Sequence, residues 1–232
     1  MDSALSLANA LDGVTRWIGR KAGWLMLPLI FVIMFDVVTR KLDYTRLIFS
    51  EWGVQSGVSV STILQDAEWH FHGALLLLSF GFGYLANAHV RVDVFRELLP
   101  RRRQAWLELV ALLVMATPFL AVMLWYSTLL FDLSFEQWEG SDSLTGIGWR
   151  WAIKFFMPLG FVFACFAVIA TVIRLLAFLF GDETQRRRAT EGLEVFSDDH
   201  AALDEARRAA EAALAAERER ERSHGHKHGG GH

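Results

Sequence analysis

The chain of 232 residues contains one cysteine, Cys165, and that residue sits inside an apolar run. An intramolecular disulfide is excluded, and so is a membrane thiol oxidoreductase, which needs paired cysteines. Proline is scarce, with four in all. Pro28, Pro118 and Pro158 fall within long apolar stretches, a placement that lipid tolerates because neighbouring groups satisfy the freed backbone. Histidine is missing from three of the four longest apolar runs, which removes the facing axial ligands that a haem-binding membrane bundle requires. Lysine and arginine are absent from Asp132 to Trp149. Glycine-rich phosphate loops, nucleophile constellations and carboxylate pairs within apolar runs are lacking too, so the reading is not an enzyme and calls for no cofactor. Nothing points to nucleic acid.

Apolar residues are abundant: 53% of the chain is hydrophobic and mean hydropathy is +0.28. The average hides a split between a membrane-like part, 22–180, and a polar part, 181–232. A bilayer core about 30 Å thick needs about 20 apolar residues in helix. Leu109–Phe131 and Phe155–Ile173 satisfy this without a charge. Trp69–Val90 does so with His70, His72 and His89 as its titratable groups, all near its ends. Ala22–Val38 contains Asp36, four residues before Arg40, so the two can pair on one helix face at an interface. The expected fold is an all-α membrane protein with four transmembrane helices, at about 22–39, 69–88, 106–131 and 152–176. An N-terminal amphipathic helix precedes them and a polar helical cytoplasmic tail follows. Residues 1–21 are too polar for a cleaved signal peptide, so the first span is expected to stay as an anchor.

Charge sets the expected orientation. With the N-terminus inside, the inner side carries Arg16, Arg20, Lys21, Arg91, Arg96, Arg101, Arg102, Arg103, Arg186, Arg187 and Arg188. The outer side carries Arg40, Lys41, Arg46, Arg150 and Lys154. Eleven against five places both termini in the cytoplasm, with the acidic stretch Asp132–Trp149 outside. Trp24, Trp69, Trp106, Trp125, Trp149 and Trp151 lie at or near the span ends, where indole prefers the headgroup layer.

Leu7, Leu11, Val14 and Ile18 recur at helical spacing and predict an amphipathic helix on the membrane surface or against a partner helix. Tyr44–Asp66 is too polar to span and too apolar to float free, and reads as an interfacial segment or partner contact. Ala201–Arg222 is rich in alanine, glutamate and arginine and reads as a solvated helix. The histidine-bearing end, Ser223–His232, reads either as a loose metal binder or as a low-complexity tail.

Glu68-Trp69-His70-Phe71-His72 resembles a metal motif only in composition. His70 and His72 point about 200° apart on a helix and cannot share one ion. Glu68 and His72 do share a face and read as a pair near the outer border. Lys154 sits near a span end, where its ammonium can reach the interface.

Several of these pieces together resemble the small membrane subunit of tripartite ATP-independent periplasmic (TRAP) transporters. They are Glu68-Trp69-His70 opening the second span and Ala88-His89-Val90-Arg91-Val92-Asp93-Val94 closing it, then Leu99-Pro100-Arg101-Arg102-Arg103 before the third. Trp151-Ala152-Ile153-Lys154 with Pro158-Leu159-Gly160-Phe161 marks the fourth. The resemblance covers about residues 22–180. It implies a bacterial inner-membrane subunit that works with a large multi-span permease and a periplasmic substrate-binding protein, importing an organic acid with sodium. The small subunit would widen the stationary scaffold and carry no transport site, with membrane lipids as its other neighbours. His89, Arg91 and Asp93 alternate with valines at the cytoplasmic border, beside Arg101, Arg102 and Arg103, and read as a conformational anchor for the subunit, the alternative being simple topology and lipid anchoring. The competing readings are a free-standing four-span structural or signalling membrane protein and a redox membrane anchor.

Overall fold

The computed structural model of the protein describes residues 1–57, 59–88, 99–141, 143 and 145–193. The chain divides into Met1–Gly192 and Leu193–His232, and of the second unit only Leu193 is described. The His89, Arg91 and Asp93 anchor, Ala201–Arg222 and the histidine tail lie outside the described residues.

The described residues form eight α-helices and no strand. They are α1 (Asp2–Ala22), α2 (Met26–Lys41), α3 (Asp43–Ser56), α4 (Val60–Leu85), α5 (Arg101–Ala111), α6 (Thr117–Glu136), α7 (Arg150–Phe180) and α8 (Glu183–Glu191). A 3₁₀ turn, Gly23–Leu25, joins α1 to α2 with all caps in helical geometry, so the two run on as one rod. α5 and α6 are joined by a wider π turn, Leu112–Ala116. Proline explains that turn. Pro118 has no N–H and its ring crowds the carbonyl four residues back, so the helix must widen before it. The Thr117 hydroxyl and amide both donate to Leu112 O, the hydroxyl at 2.9 Å, and this recovers a backbone acceptor that the distortion displaces.

Among the described residues, three stretches are long and apolar enough to cross a membrane: Asp2–Lys41, Arg101–Glu136 and Arg150–Phe180. α4 is not among them, because Gln65, Asp66, Glu68, His70 and His72 lower the hydropathy of its first half. Their burial differs sharply. α7 carries the largest set of buried residues, Gly160 to Leu179, whereas α2 and α6 present large apolar side chains outward, such as Phe31 at 69% and Trp125 at 67% exposed. Apolar faces of that extent suit lipid or a partner helix rather than water.

α7 forms the centre, and α4, α6, α1 and α5 all pack on it, while α2 packs on α4. Glycine permits the closest approaches. A Cβ on Gly160 would stand 2.5 Å from the Leu77 carbonyl oxygen, and one on Gly81 would stand 2.6 Å from that of Phe163 and 2.9 Å from Thr15 Cγ2. A Cβ on Gly19 would collide with the Phe82 ring. The buried face of α1 is therefore Leu5, Ala8, Thr15, Gly19 and Ala22, a mostly small-residue stripe. Leu7 and Val14, half of the apolar stripe read from the sequence, point outward, at 52% and 46% exposed. Small residues win the contact because they let backbones close to van der Waals distance, which is what holds helices together where lipid is as apolar as leucine.

The ends of α4 are fixed locally. Ser59 Oγ caps its start, accepting from Thr62 N at 3.4 Å. Asn87 ends it at φ 51°, with Ala88 N donating back to Gly83 O at 2.9 Å. Asparagine is one of the few residues that takes this left-handed position readily. The helix thus starts nine residues before the expected span and absorbs the end of the interfacial segment, whose first part is α3.

The contacts at Gly160 and Gly81 are backbone to backbone, so no rotamer change relieves them. Gly160→Ala and Gly81→Ala should each cost about 1–3 kcal/mol of stability, read as a lowered thermal midpoint in detergent. Gly23→Ala, whose Cβ would meet nothing within 4 Å, should leave the midpoint in place; equal losses at all three positions would refute the close-packed seam.

Candidate functional site

Chain direction brings the ends of α4 and α7 together with the starts of α1 and α5. Arg174, in the second-last turn of α7, is only 3% exposed, and a buried guanidinium demands partners. It has three. Nη2 donates to Asp12 Oδ2 at 2.9 Å and to Asn9 Oδ1 at 3.0 Å, and Nη1 donates to Gly192 O at 2.9 Å. Asp12 also accepts from Arg16 Nε at 2.8 Å, and Arg16 Nη2 reaches Leu85 O, at the end of α4, at 3.0 Å. One carboxylate and two arginines thereby join α1, α4, α7 and the residue after α8. α8 itself starts with a reciprocal cap between Asp182 and Gln185, and Arg186 Nε donates to Phe178 O at 3.1 Å.

The opposite end is built around the segment between α6 and α7. Lys154, on the second turn of α7, is hydrogen-bonded to Glu139, which also accepts from Ser134 Oγ at 2.6 Å. The Lys154 ammonium, then the Ser134 hydroxyl, hold the Glu139 carboxyl below its ordinary value of 4.5, so this latch stays ionised at neutral pH and opens only as acid protonates it. The Arg150 amide donates to Glu139 O at 2.9 Å. Asp66, on α4, accepts from Ile147 N at 2.8 Å. Trp138 and Trp149 bracket the segment at φ 48° and 64°, a conformation that costs a bulky residue on the order of 1 kcal/mol. Trp138 is compensated in part by ring contacts with Phe135 and Trp151.

A third polar clasp joins α2 to α4. Asp36 is 5% exposed and accepts from Arg40 Nε at 3.0 Å, with Ser61 Oγ at 3.5 Å. In the orientation that satisfies both groups, the Gln65 carboxamide oxygen accepts from Arg40 Nη1 at 3.1 Å.

The structure therefore groups the sequence-derived residues unevenly. Asp36 and Arg40 form an ion pair, and Lys154 has Glu139 as partner. Glu68 and His72 are not hydrogen-bonded to each other, and His72 is exposed. Arg101, Arg102 and Arg103 open α5, Arg102 and Arg103 exposed. Three cations at a helix start oppose the helix dipole, so helix stability is not what placed them. Arg174, Asn9 and Asp12 were missed. The charge-free run ends at Ile173, and the one signal in the sequence is an arginine directly after it, inside the expected span 152–176.

These polar groups pair with one another at the two ends of the helices, an arrangement that packs and positions them. The model of the DctQ component of tripartite ATP-independent periplasmic transporters matches residues 29–178, well over half of the chain. The chain belongs to this family. A DctQ component is a small subunit of a TRAP transporter, a transport family rather than an enzyme family, and as one part of a tripartite system it works with partner subunits. Comparison with curated proteins and with solved structures found no match. The match to the DctQ model spans α2 to α7 except the first three residues of α2 and the last two of α7, so Asp36, Lys154 and Arg174 fall within it and Asp12 does not.

Removing one partner of a buried pair strands the other. Asp12→Ala should cost this DctQ chain about 3 kcal/mol, and Asn9→Ala, which removes a neutral acceptor, about 1 kcal/mol. Thermal unfolding in detergent reads both; equal, negligible losses would remove the Arg174 cluster from the stability of the bundle.

Proposed function

We propose that this chain is the small scaffold subunit of a TRAP-type secondary transporter that imports an organic acid with sodium. Its partners are a large multi-span permease subunit and a periplasmic substrate-binding protein, and the complex sits in a bacterial inner membrane. The observation that carries the reading is the DctQ match over the helices whose polar groups are tied to each other at both ends. Substrate and sodium sites belong, on this reading, to the large subunit, while the outward apolar faces of α2 and α6 meet that subunit and lipid.

Four crossings fit this role: α2, α4, α5–α6 and α7. α4 is the least apolar of them, and it crosses because α1, α2 and α7 cover it and because its polar first half reaches the headgroup level. α1 does not need to cross. α1 and α2 together run about 60 Å, twice the bilayer core. The end that gathers Arg16, Arg20, Lys21, Arg101, Arg102, Arg103, Arg186, Arg187 and Arg188 is the cytoplasmic one, which puts both termini inside and the segment between α6 and α7 outside. His89, Arg91 and Asp93, with Arg101 to Arg103, hold the subunit in register at that inner border.

Purification of the tagged chain from its own membranes should bring down a larger multi-span permease in a stable complex. Isolation as a fully functional entity without such a partner would instead favour the free-standing structural reading. A topology reporter fused after Gly140 should read outside and one after Arg188 inside.

Arg91→Ala with Asp93→Ala should reduce recovery of the complex and uptake of the organic acid by roughly tenfold, the worth of one charge-assisted contact. Unchanged assembly and uptake would end the anchor role.

A further inference from the structure

A groove of about 510 Å³ runs between α4 and α7 at the end that carries the Glu139–Lys154 latch. Its mouth is charged, with Asp66, Glu139, Arg150 and Lys154, and one to three helical turns further along the lining is apolar, with Leu77 and Met157. Gly73 forms part of the floor, where the absent side chain leaves α4 close to Ile153. Asp66 to Leu77 is about 16 Å of helix, so polarity falls to nothing over the depth of one headgroup layer and the first half of a bilayer leaflet. Trp69, 77% exposed, flanks the mouth. The His70 ring donates through Nδ1 to Asp66 O at 2.6 Å, while its other nitrogen, Nε2, has no hydrogen-bond partner in the protein.

We propose that this groove is a binding site for one zwitterionic phospholipid of the phosphoethanolamine type, its head at the charged mouth and an acyl chain along the apolar end. The inference rests on α4 and α7 crossing the bilayer side by side, as proposed above. The charge census selects the head. Two carboxylates and two cations line the mouth, which suits a ligand that brings one phosphate and one ammonium. A purely anionic head would add an uncompensated charge to a neutral lining. A quaternary ammonium is bound by an aromatic cage, and the mouth has a single indole but two carboxylates, which are acceptors for the N–H donors of a primary ammonium. An apolar helix from a partner subunit fits less well, because seating it would strip water from the charged groups at the mouth.

The probe is an equal mixture of phosphoethanolamine, phosphocholine and phosphoglycerol lipids with identical chains. It is added to the protein in detergent together with whatever permease copurifies, and native mass spectrometry reads the lipid retained. One phosphoethanolamine lipid should be retained about tenfold over each of the others. Arg150→Gln, which alters the mouth, and Met157→Trp, which fills the apolar end and keeps every charge, should each bring retention down to the ratio supplied. Arg187→Gln, on the exposed face of α8, should not.

Equal retention of the three lipids overturns the proposal, as does a preference for phosphoglycerol, or undiminished selectivity in both groove variants. Cross-linking of Met157→Cys to a helix of the large subunit would also overturn it, because the groove would then hold protein. Reporters fused after Gly57, read outside, and after Pro100, read inside, decide the crossing of α4, and those after Gly140 and Arg188 that of α7, so absence of lipid selectivity with all four as expected refutes the lipid site alone.

Discussion

Everything in this bundle depends on the close approach of α4 to α7. α4 is the helix with the weakest claim to the membrane on composition, carrying Asp66, Glu68, His70 and His72 in its first half. What holds it is contact at backbone distance, with Gly160 against the Leu77 carbonyl and Gly81 against that of Phe163. Lipid gives leucine no advantage over lipid itself, so a helix pair gains by shape and by polar bonds rather than by expelling water. Glycine supplies the shape. With α4 seated on α7, α1 can close over Gly81 through Thr15 and over Phe82 through Gly19, and α2 can reach α4 through Asp36 and Ser61.

Much of this was legible in the sequence, and what was not has physical reasons. The long uncharged runs read correctly as helices, since length and hydropathy are local properties. Asp36 and Arg40 were legible because four residues on one helix is a fixed geometry. The start of α4 at Val60 was hidden, because Gln65, Asp66 and Glu68 look like a loop until Asp66 is seen receiving the Ile147 amide. The face of α1 that packs inside the bundle was hidden for a related reason. Leu7, Leu11, Val14 and Ile18, the stripe read for the membrane surface or a partner helix, stand out by hydrophobicity, whereas close packing within the chain uses Ala8, Thr15 and Gly19.

Arg174 shows the limit most clearly. Nothing local distinguishes an arginine that ends a span and reaches water from one that turns inward. The difference lies in Asn9 and Asp12, more than 160 positions away along the chain, and no periodicity connects them. Lys154 illustrates the same point at shorter range. Read alone, it is a lysine that extends toward the interface; only the left-handed turn at Trp138 brings Glu139 back to meet it.

The two polar clusters and the glycine seam act on the same pair of helices at three depths. The Lys154–Glu139 latch and the Asp66 bond fix one end, the Arg174 cluster fixes the other, and the glycines fix the middle. A slip of α4 past α7 by one turn, about 5.4 Å, would break the Arg16 bond to Leu85 O, separate Asp66 from Ile147 and drive side chains into the backbone at Gly81 and Gly160 all at once. A pair with a single register is poorly suited to be the moving part of a transporter, where an element must have two packings of similar energy. It suits a part that stays still while another moves against it.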